Sequence, residues 1–153
     1  MILVDANVLL RLIQIGHPHQ QPALDAIALL RRRDREQFVT CSQALYEMYA
    51  VCTRSVDAPY PGLGLTPAAA MTQVEAAERQ FGLEPEPISL LGRWKDIVVR
   101  YGVVGKSVHD ARLVALMVER QIPKLLSFND SHFTRYAEIT VLNPFDVLRV
   151  PRV

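Results

Sequence analysis

Of the sixteen acidic residues in this 153-residue chain, four stand where a solvated surface role explains them poorly. Asp5 closes the aliphatic run Ile2-Leu3-Val4, which reads as a buried strand, and Val8-Leu9-Leu10 follows at once as the start of a helix. Glu47 is the only acid on its helix. Ala44, Ala50 and Val51 lie three or four residues from it, so it is expected to be buried on an apolar face. Asp110 opens a helix whose same face continues through Val114 and Met117. Asp130 follows the strand Lys124 to Ser127, a strand-end position like that of Asp5. Three of the four have a simpler explanation as caps. Asp5 or Asn7 could cap the first helix, Ser107 and Asp110 have the spacing of a capping box, and Asp130 or Ser131 could cap a turn before Phe133. Glu47 has no such alternative, because burying an unpaired carboxylate is costly.

If these acids converge, they require a cation. Two like charges about 4 Å apart repel by roughly 4 kcal/mol at an effective dielectric near 20. A cluster of three or four must share protons or bind a positive ion. The donors on offer are oxygens, since His17 and His19 alternate in a proline-containing turn and read as a polar loop rather than a metal pair. A hard divalent ion, Mg2+ or Mn2+, therefore fits better than zinc. Held by carboxylates and waters, such an ion activates water and stabilises charge on phosphate oxygens.

The elements that must position these acids alternate between strand and helix. Leu24, Ile27, Ala28 and Leu30 fit one helical face, ending in the solvated run Arg31 to Arg35. Gln37 to Thr40 reads as a strand, and Ser42 as the N-cap of a helix reaching about Arg54. Asp57 to Leu65, with two prolines and two glycines, reads as a loop. Thr66-Pro67 is a helix start, and that helix is expected to end at Gly82. Glu84 to Ile88 is expected as an edge strand, and Ser89 as the cap of a helix to about Tyr101. Ser107 begins the next helix, strands follow at Lys124 to Ser127 and Ile139 to Leu142, and Asn143-Pro144 caps a short final helix. This alternation predicts an α/β fold with a central parallel sheet flanked by helices on both faces. Asp5 then stands outside a strand's carboxyl end, where open α/β sheets have their ligand crevice.

No repeat or linker divides the chain, so a single domain over residues 1–153 is expected. Half the residues are hydrophobic and 22% are charged, which excludes a disordered polyelectrolyte. No apolar run approaches the ~20 residues of a membrane helix, so no membrane partner is expected. The N-terminus lacks a signal peptide's basic region and cleavage site. With only Cys41 and Cys52, a cytoplasmic location with free buried thiols is expected. The net charge of +1 gives no global attraction for a polyanion, although a local basic stripe would suffice. Arg11, Lys106 and Arg112 lie near the acids in sequence and are candidates for phosphate contact, with ordinary helix-surface roles as the alternative.

Four stretches, in order, resemble the motifs of the PIN-domain ribonucleases, specifically the VapC-type toxins of type II toxin–antitoxin pairs. MILVDANVLLRL is similar to the opening strand with its Asp-x-Asn signature, and CSQALYEMYAV to the helix with one glutamate. SVHDARLVALM is similar to the helix beginning His-Asp-Ala, and LLSFNDSHF to the strand and polar loop closing with Phe. The resemblance covers essentially the whole chain. It implies a PIN-like fold and a Mg2+- or Mn2+-dependent endoribonuclease acting on an RNA substrate, with Asp5, Glu47 and Asp110 as metal ligands. It further implies that Asn7 orients Asp5, that Ser127 sits behind the ligands or near the substrate, and that Asp130 or Asn129 fills the fourth motif's position. A homodimer and a cognate antitoxin covering the active site are implied as partners. Among rivals, a haloacid-dehalogenase-type phosphatase needs a second aspartate where Asn7 stands, and a receiver domain needs paired acids near the start. A non-catalytic PIN-like module that binds RNA or protein remains the non-enzymatic alternative.

Overall fold

The computed structural model describes residues 1–149; the last four residues of the expected domain lie outside the described residues. β1 (Ile2–Val4) is buried along its whole length, which its three consecutive aliphatics require. It is followed by α1 (Ala6–Ile13), α2 (Gln20–Arg33), β2 (Phe38–Cys41), α3 (Ser42–Thr53) and α4 (Pro67–Phe81). The second half runs β3 (Leu83–Glu84), α5 (Leu90–Tyr101), α6 (Ser107–Glu119), β4 (Lys124–Leu126), β5 (Thr140–Leu142) and α7 (Pro144–Arg149). A single turn of 3-10 helix, Asp130–His132, lies between β4 and β5.

The five strands form one sheet in the order β3-β2-β1-β4-β5, every pairing parallel. Leu3 pairs with Val39 on one side and Leu125 on the other, so β1 is the central strand. The chain first builds outward through β2 and β3, then returns to place β4 and β5 on the opposite side of β1. Right-handed crossovers in opposite directions put helices on opposite faces of the sheet. The α/β sheet expected from the alternation is the one observed. The reversal of direction between β1 and β4 is the topological switch point, where such sheets open a crevice at their carboxyl ends.

Most element boundaries fall within a few residues of expectation, and the departures have physical reasons. The cap of α3 is Cys41, not Ser42, because β2 runs into the helix with no intervening loop and Cys41 is still extended (φ −137°, ψ 164°). The edge strand is Leu83–Glu84, earlier and shorter than Glu84 to Ile88, since the prolines at 85 and 87 offer no amide to a ladder. Helix α2 buries Ala23, Ala26, Ile27 and Leu30, while Leu24 and Ala28 face outward. Thr66 caps α4 as expected, its hydroxyl accepting from the Ala69 amide at 3.2 Å. Gly62 is fixed by space, since a Cβ there would lie 2.4 Å from the carbonyl oxygens of Val51 and Arg54. The central helix α6 buries Ala111 and Leu113 through Met117, so its start, carrying Asp110, is held firmly against the core. Cys41 and Cys52 are free and buried, as expected. Among the described residues no helix is long and apolar enough to cross a membrane.

Candidate active site

Asp5 occupies the cap position of α1 but makes no side-chain capping bond. Its Oδ2 instead accepts from Ser127 Oγ at 2.6 Å and from Asn7 Nδ2 at 2.8 Å. Asn7 also donates to Ser127 Oγ at 3.0 Å, and its Oδ1 accepts from the Phe128 amide at 3.1 Å. These bonds tie the end of β1 to the end of β4 across the switch point. Asn7 and Ser127 thus both donate to the same oxygen of the Asp5 carboxylate. Asn129 joins the same knot through its amide, which donates to Ser127 Oγ at 3.0 Å, while its side chain is exposed.

Asp5 is only 8% exposed, and its carboxyl is pushed up from 3.8 to about 6. Burial is the main cause, because the charged form loses its water. The Ser127 hydrogen bond opposes this, as does the Ala6 amide, while the negative charges of Glu47 and Asp110 push it further up. Asp110, in the first turn of α6 and half-buried, is also raised, chiefly by burial and then by Glu47, against the pull of His132, His109 and Arg135. Its Oδ2 lies 3.6 Å from His132 Nδ1. Asp5, Glu47 and Asp110 therefore share one electrostatic environment, reached from β1, α3 and α6.

Glu47 corrects the expectation of a buried carboxylate: it is exposed. The core-facing positions of α3 are Ala44, Leu45, Met48 and Cys52, and Ala50 is itself exposed. The i−4 neighbour that matters is polar: Gln43 Nε2 donates to Glu47 Oε1 at 2.9 Å. Asp130 lies in the 3-10 turn, where its Oδ1 accepts from Asn143 Nδ2 at 3.0 Å and its side chain caps nothing. It is not among the charges that shift Asp5 or Asp110. The side chains as placed form no closed ligand cage, since no three His, Cys, Asp or Glu among the described residues are grouped to hold an ion.

Sequence reasoning missed Gln43, His132 and Arg135. Gln43 could have been found from its i, i+4 spacing to Glu47. His132 and Arg135 reach Asp110 only through the turn after β4, which carries no local signal. The phosphate candidates are occupied: Arg112 bonds Gln43 and Glu86, Arg11 bonds Gln14, and Lys106 lies 5.9 Å from the centre of the Tyr60 ring. His19 stacks on Phe128 with centroids 4.6 Å apart, and its amide donates to His17 Nδ1.

The family model for the PIN domain matches residues 2–139, nearly the whole chain. The chain belongs to the PIN-domain family. Two solved structures share its fold. The Mycobacterium tuberculosis VapC20 toxin, which cleaves the sarcin-ricin loop, superposes with a TM-score of 0.63 at 17% identity, covering 88% of this chain and 95% of VapC20. Rickettsia felis VapBC2, solved bound to a DNA fragment from its promoter, superposes with a TM-score of 0.67 at 13% identity, covering 94% of this chain and 98% of the other. No curated protein sequence is significantly similar to this one. In this PIN domain the candidate site lies at the carboxyl ends of β1 and β4, where Asp5 and Ser127 meet.

Proposed function

We propose that this PIN domain is a Mg2+- or Mn2+-dependent endoribonuclease, the VapC-type toxin of a type II toxin–antitoxin pair. The observation that carries the reading is Asp5: a buried carboxylate at the sheet's switch point, gripped by Asn7 and Ser127, and raised in part by the charges of Glu47 and Asp110. A structural acid would be expected to avoid that repulsion, whereas an ion-binding acid needs it. The donor set fits a hard cation, being oxygen throughout. Asp5, Glu47 and Asp110 would hold the ion, the exposed Glu47 carboxylate being held on the α3 side by Gln43. Asp130, turned toward Asn143, is the outermost candidate. A bound divalent ion supplies activation of a water and charge neutralisation on the phosphate.

The chain's own residues supply the rest. Asn7 and Ser127 fix the orientation of Asp5, and the turn after β4 brings Arg135 near Asp110, where its positive charge suits an RNA backbone. The toxin assignment rests on family membership together with the fold shared with VapC20 and VapBC2. With it go a cytoplasmic location, a homodimer and a cognate antitoxin as partner. The test is cleavage of total cellular RNA by purified protein with Mg2+, with Mn2+ and with EDTA. Cleavage only with the metals, lost in Asp5→Asn and Asp110→Asn, supports the reading; equal cleavage in EDTA refutes it. A non-catalytic binding module would instead retain RNA binding and show no metal-dependent cleavage.

A further inference from the structure

Gln43 has all its amide hydrogens committed, and the chemistry of its partners fixes which way the amide points. Arg112 can only donate, and its Nη1 lies 2.9 Å from Gln43 Oε1. The NH2 group therefore faces the two acceptors on the other side, Glu47 Oε1 at 2.9 Å and the His109 carbonyl at 3.0 Å. Arg112 is held in turn by Glu86, whose Oε1 accepts from its Nη2 at 2.7 Å. A chain of polar contacts thus runs from the loop before α5, through α6, to a carboxylate on α3. One amide joins Glu47 to the backbone of the residue next to Asp110.

We propose that Gln43 is a positioning residue for the metal site, setting the orientation of Glu47 and its spacing from Asp110, with Arg112 and Glu86 holding Gln43 in register. The inference rests on the carboxylate-site reading above. An exposed glutamate otherwise samples many rotamers, and ordering it after the ion arrives weakens binding. Groups that orient metal ligands typically change metal affinity by about 10–100-fold when removed. Gln43→Ala is therefore expected to weaken Mn2+ binding by about tenfold.

Mn2+ titration by calorimetry, without RNA, reads this directly, in wild type, Gln43→Ala, Glu47→Ala and the double variant. The expected result is weaker binding in Gln43→Ala with a melting temperature lowered by no more than about 2–4 °C, and no further weakening when Gln43→Ala is added to Glu47→Ala. That non-additivity separates positioning through Glu47 from a general structural role. Arg112→Lys, which loses the forked contact to Gln43 and Glu86, is expected to show a smaller loss. Wild-type affinity in Gln43→Ala, or additive losses in the double variant, overturns the role of Gln43 while leaving the site reading intact. Absence of Mn2+ binding by the wild-type protein overturns both.

Discussion

Replacing Asp5 by asparagine should stabilise the metal-free protein while abolishing its activity. The carboxyl of Asp5 rises from 3.8 to about 6 on folding, so between those values the folded state binds more protons than the unfolded chain. Stability from this group is greatest when it is protonated and falls as pH climbs through 6. At pH 7 a rise of about two units corresponds to roughly 3 kcal/mol of destabilisation, at 1.36 kcal/mol per unit. Asparagine removes that penalty and still offers one oxygen to the Ser127 hydroxyl and the Asn7 amide. Burying its amide nitrogen in place of the second carboxylate oxygen costs on the order of 1 kcal/mol. A net gain of about 1–2 kcal/mol corresponds to about 2–8 °C in a domain of this size. Differential scanning calorimetry in EDTA at pH 7 should show Asp5→Asn melting above wild type, with the gap narrowing at pH 5 as Asp5 protonates. Excess Mn2+ should raise the wild-type melting temperature and leave the variant where it was. An Asp5→Asn protein that melts below wild type in EDTA would refute the reasoning, because the carboxylate would then be stabilising the fold as a charge.

Three further outcomes follow from the same geometry. Glu47→Gln, at an exposed position, should change stability by no more than about 0.5 kcal/mol in urea titration yet lose cleavage. Asp130→Ala should cost on the order of 1 kcal/mol in the same titration, through the lost Asn143 bond. Its RNA cleavage should fall less than that of Asp5→Asn, and an equal fall would make Asp130 a full member of the site. Ser127→Ala removes the hydrogen bond that lowers the Asp5 carboxyl, so the acid limb of the pH–rate profile should move to higher pH. An unmoved limb would show that Asp5 does not control it.

The fold was legible because its signals are local and repeated. A wholly buried aliphatic strand, a Thr-Pro helix start and proline-bounded loops each specify one element, and their alternation specifies a parallel sheet. Asp5 and Asp110 were legible for the same reason, standing at element boundaries. Glu47 shows the limit. Its apolar neighbours suggested burial, but α3 presents Leu45 and Met48 to the core, and Glu47 shares an exposed edge with Tyr46 and Ala50. Periodicity counted from one residue cannot say which of two adjacent stripes faces inward when both contain alanine. Contacts between distant elements, such as His132 to Asp110 and Gln43 to His109, depend on tertiary placement and leave no periodic trace.

The cap explanation for Asp5 can be judged on the structure rather than on likelihood of residue type. The backbone at Asp5 is extended, as an N-cap requires, and an aspartate there could accept from the amides of the first helical turn. It makes no cap bond, and of the helix amides only that of Ala6 beside it pulls on the carboxylate; forgoing a cap costs about 0.5–2 kcal/mol. The side chain instead takes a buried position beside two other negative charges, where its ionised form is disfavoured again. Both terms act against stability at one residue, and the helix dipole at the start of α1 offsets only part of them. Asn7 and Ser127 could have been satisfied by any neutral acceptor, so they do not explain the charge. The proposed cation, shared with Glu47 and Asp110, would answer the repulsion and give the uncapped orientation a purpose. Local structure accounts for where Asp5 stands, and the site accounts for which way it points.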